Sequence, residues 1–167
     1  MSERDTDVAA ARAEYAGAVY GSLLAASVVA GSTVEGGPPS AADLVILLIC
    51  TGVVFWITHV YAQLVSRGYP TWAFTWANVR GIARREWPLA QASFPPAIAA
   101  AFASALGASD AVTAWLALCA AVAAQVTWAV VAALKTRWTT GVVVVSGIAN
   151  LVLGLVIIVL KTLVSAH

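Results

Sequence analysis

The sequence predicts an all-α, polytopic helical membrane protein, with about five transmembrane helices and one interfacial amphipathic helix. Three observations carry this. First, of 167 residues 61% are hydrophobic and only 10% charged, whereas soluble domains carry about 25% charged residues. Second, apolar runs reach the roughly 20 residues that a membrane-spanning helix needs. Third, the basic residues are distributed unevenly between alternate connections, as short loops of membrane proteins require. The length suits one domain over 1–167. A net charge of +1 gives no global basic field, so nucleic acid is not an expected partner.

Taken in chain order, Met1 to Asp7 are polar and mixed in charge. The apolar stretch that follows lacks a cleavage-site context, so it is expected to remain as an anchor. The first span runs over about 15–34. Its Gly17-x-x-x-Gly21 pattern suits close helix approach. Gly36-Gly37-Pro38-Pro39-Ser40 then forces a turn. The second span covers about 41–66, with Asp43 near its start as a helix cap.

The segment 71–87 is too polar to span. As a helix from Thr71 it gathers Trp72, Trp76, Val79 and Ala83 on one face, with Arg80 and Arg84 on its flank. Aromatic groups beside cations fit a helix lying in the headgroup layer, where Arg80, Arg84 and Arg85 would meet anionic lipid.

A third span is expected over about 89–107. Pro88 stands at its start, where a missing N–H is harmless. Pro95-Pro96 interrupts it and deprives the carbonyls of Gln91 and Ala92 of their donors. Freed carbonyls would hold a cation or water, or a neighbouring hydroxyl would satisfy them. The alternative is a re-entrant segment here and four spans in all. Gly107-Ala108-Ser109-Asp110 offers a helix stop and then Ser109 or Asp110 as the next cap. The fourth span follows over about 111–134. After the charged turn Lys135-Thr136-Arg137, the fifth runs over about 139–165, where Gly147, Asn150 and Gly154 share a stripe.

With the N-terminus in the cytoplasm, eight of the nine basic residues fall inside, namely Arg4, Arg12, Arg67, Arg80, Arg84, Arg85, Lys135 and Arg137. Lys161 alone lies near the outer end, from which it can snorkel. The expected location is therefore the bacterial inner membrane, with the C-terminus external.

Polar side chains within spans are where function is usually found. Glu14, His59, Gln63, Gln91, Gln125, Ser146 and Asn150 all fall in the cytoplasmic or middle part of their spans. Gly52, Trp56, His59 and Gln63, spaced four, three and four, form one stripe. Sequential spans tend to be neighbours, so Glu14 is expected to reach His59 or Gln63. Such a pair would either exchange a proton near neutral pH or tie two helices together.

Cys50 and Cys119 lie inside apolar runs and read as small buried hydrophobes. No metal site is expected: zinc wants three or four ligands, and the only other histidine is His167. No cofactor is expected. Nucleophile-elbow, phosphate-loop, zinc-protease and Cys-x-x-Cys motifs are all absent from the sequence, which argues against an enzyme.

The stretch Val54-Phe55-Trp56-Ile57-Thr58-His59-Val60-Tyr61-Ala62 resembles small uncharacterised membrane proteins of high-GC bacteria. That resemblance implies a membrane fold and no activity. The Trp-x-x-His element is also similar to span two of the bacterial relatives of lysosomal potassium channels. Those channels carry Arg-x-x-x-Phe-Ser-Asp on span one. Here Arg12-Ala13-Glu14-Tyr15-Ala16-Gly17 stands in its place, without the Phe-Ser-Asp. The functional expectation is an oligomeric channel or transporter for an ion, proton or solute, a homo-oligomer in contact with membrane lipids, because five short spans enclose little volume. The alternatives are a non-transporting accessory or assembly subunit of a larger membrane complex and, third, a membrane enzyme.

Overall fold

In the computed structural model, residues 3–32, 37–66, 75–135 and 140–165 are described; side chains are described from residue 16 on and for most of 141–163. All six described elements are α-helices: α1 Glu3–Gly31, α2 Ala41–Ser66, α3 Trp76–Gln91, α4 Phe94–Ala105, α5 Asp110–Lys135 and α6 Thr140–Ser165.

The helix ends follow local chemistry. Ser40, rather than Asp43, caps α2: its hydroxyl accepts from the Asp43 N–H at 3.2 Å and donates to the Asp43 carboxylate at 2.7 Å. Asp43 thus closes the cap from the first turn, where a carboxylate also suits the helix dipole. Ser109 accepts from the Val112 N–H at the start of α5. At the end of α4, Gly107 takes φ +78°. The Gly107 N–H reaches the Ser104 carbonyl and the Ala108 N–H the Ala103 carbonyl. This is a Schellman stop, whose left-handed residue glycine tolerates best.

The main departure from expectation concerns 71–107. Thr75 caps α3, its hydroxyl accepting from the Asn78 N–H, and the helix continues through Pro88 to Gln91. Pro88 therefore lies inside a helix rather than at a start. The interruption falls at Ala92–Ser93, and Pro95 and Pro96 open α4, where their missing N–H groups are not demanded. A separate surface helix and a third span interrupted at Pro95-Pro96 are thus replaced by two consecutive helices, with the break before the two prolines rather than at them. Nor does α3 stand apart from the bundle. Val60 and Leu64 of α2 bury Ile82, with Trp56, Val79 and Ala83 packed around them.

The core lies around α5, which packs on α1, α4 and α6, while α2 packs on α3 and α4. Contact between α1 and α2 is slight beside that between α1 and α5. The central layer is dominated by alanine: Ala25 and Ala26 of α1, Ala97 and Ala100 of α4, and Ala114, Ala117 and Ala121 of α5, with Leu44, Leu48 and Leu118 filling between them. Small side chains let backbones come close, so packing contacts accumulate without large residues.

The outward faces carry the larger apolar groups, among them Ile46, Val54, Tyr61, Ile98, Phe102 and Val145. Two described helical stretches, Ala41–Ser66 and Asp110–Ala132, are long and apolar enough to cross a membrane; Ala16–Gly31, Phe94–Ala105 and Gly147–Val159 are shorter apolar stretches.

Candidate functional site

The seam between α2 and α3 holds the only ion pair found among the described side chains. It is built as a ladder of contacts between helices running in opposite directions. At its upper end Gly52 lies against Ser93 and the Ala90 carbonyl. One turn on, the Trp56 indole N–H donates to the Ala83 carbonyl at 2.9 Å. The same indole meets Trp87 edge-on, with centroids 5.2 Å apart and planes at 85°, and Trp87 meets Phe94 at 6.4 Å. Below it His59 Nε2 stands 3.5 Å from Glu86 Oε2. Val60, Leu64 and Ile82 close the lower end.

The two partners differ in setting: the His59 side chain is 42% exposed and that of Glu86 9%. An ionised carboxylate out of water is costly unless paired. Protonated His59 supplies the pairing charge; neutral His59 does not. The pair therefore joins an enclosed carboxylate to an open imidazole, a geometry in which a proton can pass from the outer group to the inner one. Why Glu86 faces inward follows from spacing. Val79, Ile82, Ala83, Glu86 and Ala90 lie at intervals of three, one, three and four, which is one helical face.

The expected partner of His59 was Glu14, whose side chain lies outside the described residues. Sequence reasoning passed over Glu86 because it sits beside Arg84 and Arg85 in a segment assigned to the membrane surface. Extending the stripe of Val79 and Ala83 by one turn would have found it. Gln63 is half-buried one turn below His59, and Gln91 is exposed at the end of α3.

Gln125 and Asn150 come together elsewhere, on the α5–α6 seam. Gln125 is fully buried, and its amide donates to the Asn150 carbonyl at 3.1 Å and to the Asn150 side-chain oxygen at 3.2 Å. Gln125 Oε1 has no hydrogen-bond partner among the described residues. The glycine stripe of α6 faces the same way. A Cβ on Gly154 would meet Val122 Cγ1 at 2.6 Å, whereas one on Gly147 would meet Val130 at an ordinary 3.7 Å. Of the polar residues expected at one depth, His59 thus lies on the α2–α3 seam and Gln125 and Asn150 on the α5–α6 seam.

On α1, a Cβ at Gly21 would meet the Leu89 carbonyl oxygen at 2.5 Å and Ala92 Cβ at 2.8 Å, whereas at Gly17 the nearest atoms are 3.9 Å away. Gly21 of α1 and Gly52 of α2 therefore both press on the segment at the α3–α4 break. Among the basic and aromatic residues expected at the headgroups, Trp76, Arg80, Arg84 and Arg85 are exposed on α3, and Trp72 lies outside the described residues, as do the side chains of Ser146 and Lys161. No three His, Cys, Asp or Glu side chains cluster among the described residues. The chain matches no family model, no curated protein and no solved structure.

Proposed function

We propose that the chain is a multi-pass membrane protein with a cytoplasmic N-terminus, and that several copies together pass protons or a small cation. The observation that carries this reading is the His59–Glu86 pair, an enclosed carboxylate facing a half-open imidazole one helical turn from an indole fixed by its own hydrogen bond. Enclosed ionisable groups in membrane proteins commonly mark proton and ion paths. Membrane insertion is supported by the large apolar side chains on the outward faces, since contiguous apolar patches beyond a few hundred Å² are rare on soluble monomers. It is also supported by the unequal distribution of basic residues. Assembly of several copies is part of the reading because the crevice where α1, α2 and α3 meet holds only about 10 Å³, room for about one water.

The test is proton and cation flux into vesicles containing the purified chain. Glu86→Gln should abolish flux, and His59→Gln should lower it. Native flux retained in Glu86→Gln would end the proposal.

A second reading, a non-transporting assembly subunit, is favoured by the use to which the polar groups are put. Trp56 to Ala83 and Gln125 to Asn150 each tie one helix to the next. It predicts no flux and co-purification with a larger membrane complex.

A further inference from the structure

Alongside the α2–α3 seam, side chains of the two helices line an open groove of about 470 Å³, within the roughly 300–1,000 Å³ typical of small-ligand sites. Trp56, Ile57 and Val60 form one wall, and Trp76, Val79 and Ala83 the other, with Arg80 beside Trp76. Arg80 is the only charged residue of the lining among the described residues. The indole N–H of Trp56 is already spent on the Ala83 carbonyl, so that wall offers carbon alone. Trp76 is 79% exposed, an unusual position for an indole.

We infer that this groove binds one anionic phospholipid from the cytoplasmic leaflet, with an acyl chain along the aromatic walls and the phosphate on Arg80. The inference rests on the membrane reading above, in which the α2 end bearing Val60 and Leu64 faces the cytoplasm. Charge complementarity selects the occupant. An apolar slot with a single guanidinium at its edge fits a molecule that is mostly hydrocarbon and carries one negative group. Guanidinium also pairs with phosphate in bidentate fashion. Arg84 and Arg85 are exposed but lie off the groove, so they add general attraction for anionic lipid rather than a seat for one molecule.

The experiment is tryptophan quenching in phosphatidylcholine vesicles holding a small fraction of phosphatidylglycerol, with bromine placed on the acyl chains of one lipid or the other. The Trp76 contribution is isolated by comparing the native chain with Trp76→Phe. Brominated phosphatidylglycerol should quench Trp76 more than brominated phosphatidylcholine at equal fraction. Arg80→Ala should lower the preference by about fivefold, the factor expected for one arginine at an anionic surface. The double variant Arg84→Ala, Arg85→Ala should retain it. Preference surviving in Arg80→Ala, or lost only in the double variant, overturns a discrete site in favour of a diffuse annulus. Quenching of the other tryptophans but not of Trp76 overturns it in favour of a second copy covering the groove. Quenching of none by either lipid means that the chain is not embedded, and the membrane reading fails before the lipid site is reached.

Discussion

Glu86 has the environment of a core residue and the chemistry of a surface one, and His59 is what reconciles the two. The asymmetry of their exposure sets an asymmetry of consequence. His59→Ala strands a carboxylate in an enclosed place, whereas Glu86→Gln leaves an imidazole that was already half open. The first should cost about 1–3 kcal/mol, the scale of an unsatisfied buried group, and the second less. Both fall below the 3–5 kcal/mol of a fully enclosed pair, because the open side screens the interaction. Unfolding of His59→Ala, Glu86→Gln and their combination would check this, the double change costing less than the sum; strict additivity would show that the contact carries no energy. For Gln125 and Asn150 the same cycle with Gln125→Leu and Asn150→Leu should return about 0.6 kcal/mol of coupling, the mean for side-chain hydrogen bonds between membrane helices. Histidine and the amides stood out in the sequence because each interrupts an apolar run. Glu86 did not, because Arg84 and Arg85 beside it made the whole segment read as surface.

The helices themselves were legible wherever composition alone decides them. α2 has the predicted bounds, α5 runs one residue further at each end, and α6 starts one residue later. Their breaks are written in Gly107, Ser109 and the proline-rich turn before Ala41. The α3–α4 segment was not legible, because proline has two readings, breaker inside a helix or favoured opener at its first turn. Tertiary contacts chose between them: with Gly21 and Gly52 pressed on Leu89, Ala90 and Ser93, the break sits where two other helices come closest. The glycines therefore separate into two kinds. Gly21→Ala and Gly154→Ala each force a methyl to within 2.5–2.8 Å of existing atoms and should destabilise by about 1–3 kcal/mol. Gly17→Ala and Gly147→Ala meet only ordinary contacts and should be neutral or slightly stabilising through helix propensity. Thermal unfolding in detergent distinguishes these; equal effects at Gly17 and Gly21 would mean that the packing against α3 is not as described.

At the scale of the molecule, the all-α class was readable from composition, whereas the pairing of helices was not. The expectation that successive helices adjoin placed α1 against α2, yet α1 packs far more on α5. Alanine explains the failure. Faces made of Ala25, Ala26, Ala114, Ala117 and Ala121 are complementary to many small-residue surfaces, so their sequence names no particular partner. The proposed orientation is tested by single cysteines in a background lacking Cys50 and Cys119, both of which are exposed. Pro38→Cys should react with an impermeant thiol reagent added outside intact cells, and Arg84→Cys only after the membrane is opened. Reaction of Arg84→Cys from outside would overturn the topology.

The pairing of α1 with α5 also bears on biosynthesis. Helix α1 emerges from the ribosome with its alanine face unmatched, and α2, α3 and α4 must all be made before the segment beginning at Asp110 can meet it. Loop closure over that separation is slow relative to local contacts. The order of assembly is therefore not the order of synthesis, and a nascent chain halted before α5 should hold α1 chiefly through its contact with α3, with its alanine face open to chaperones or to premature pairing with another nascent copy.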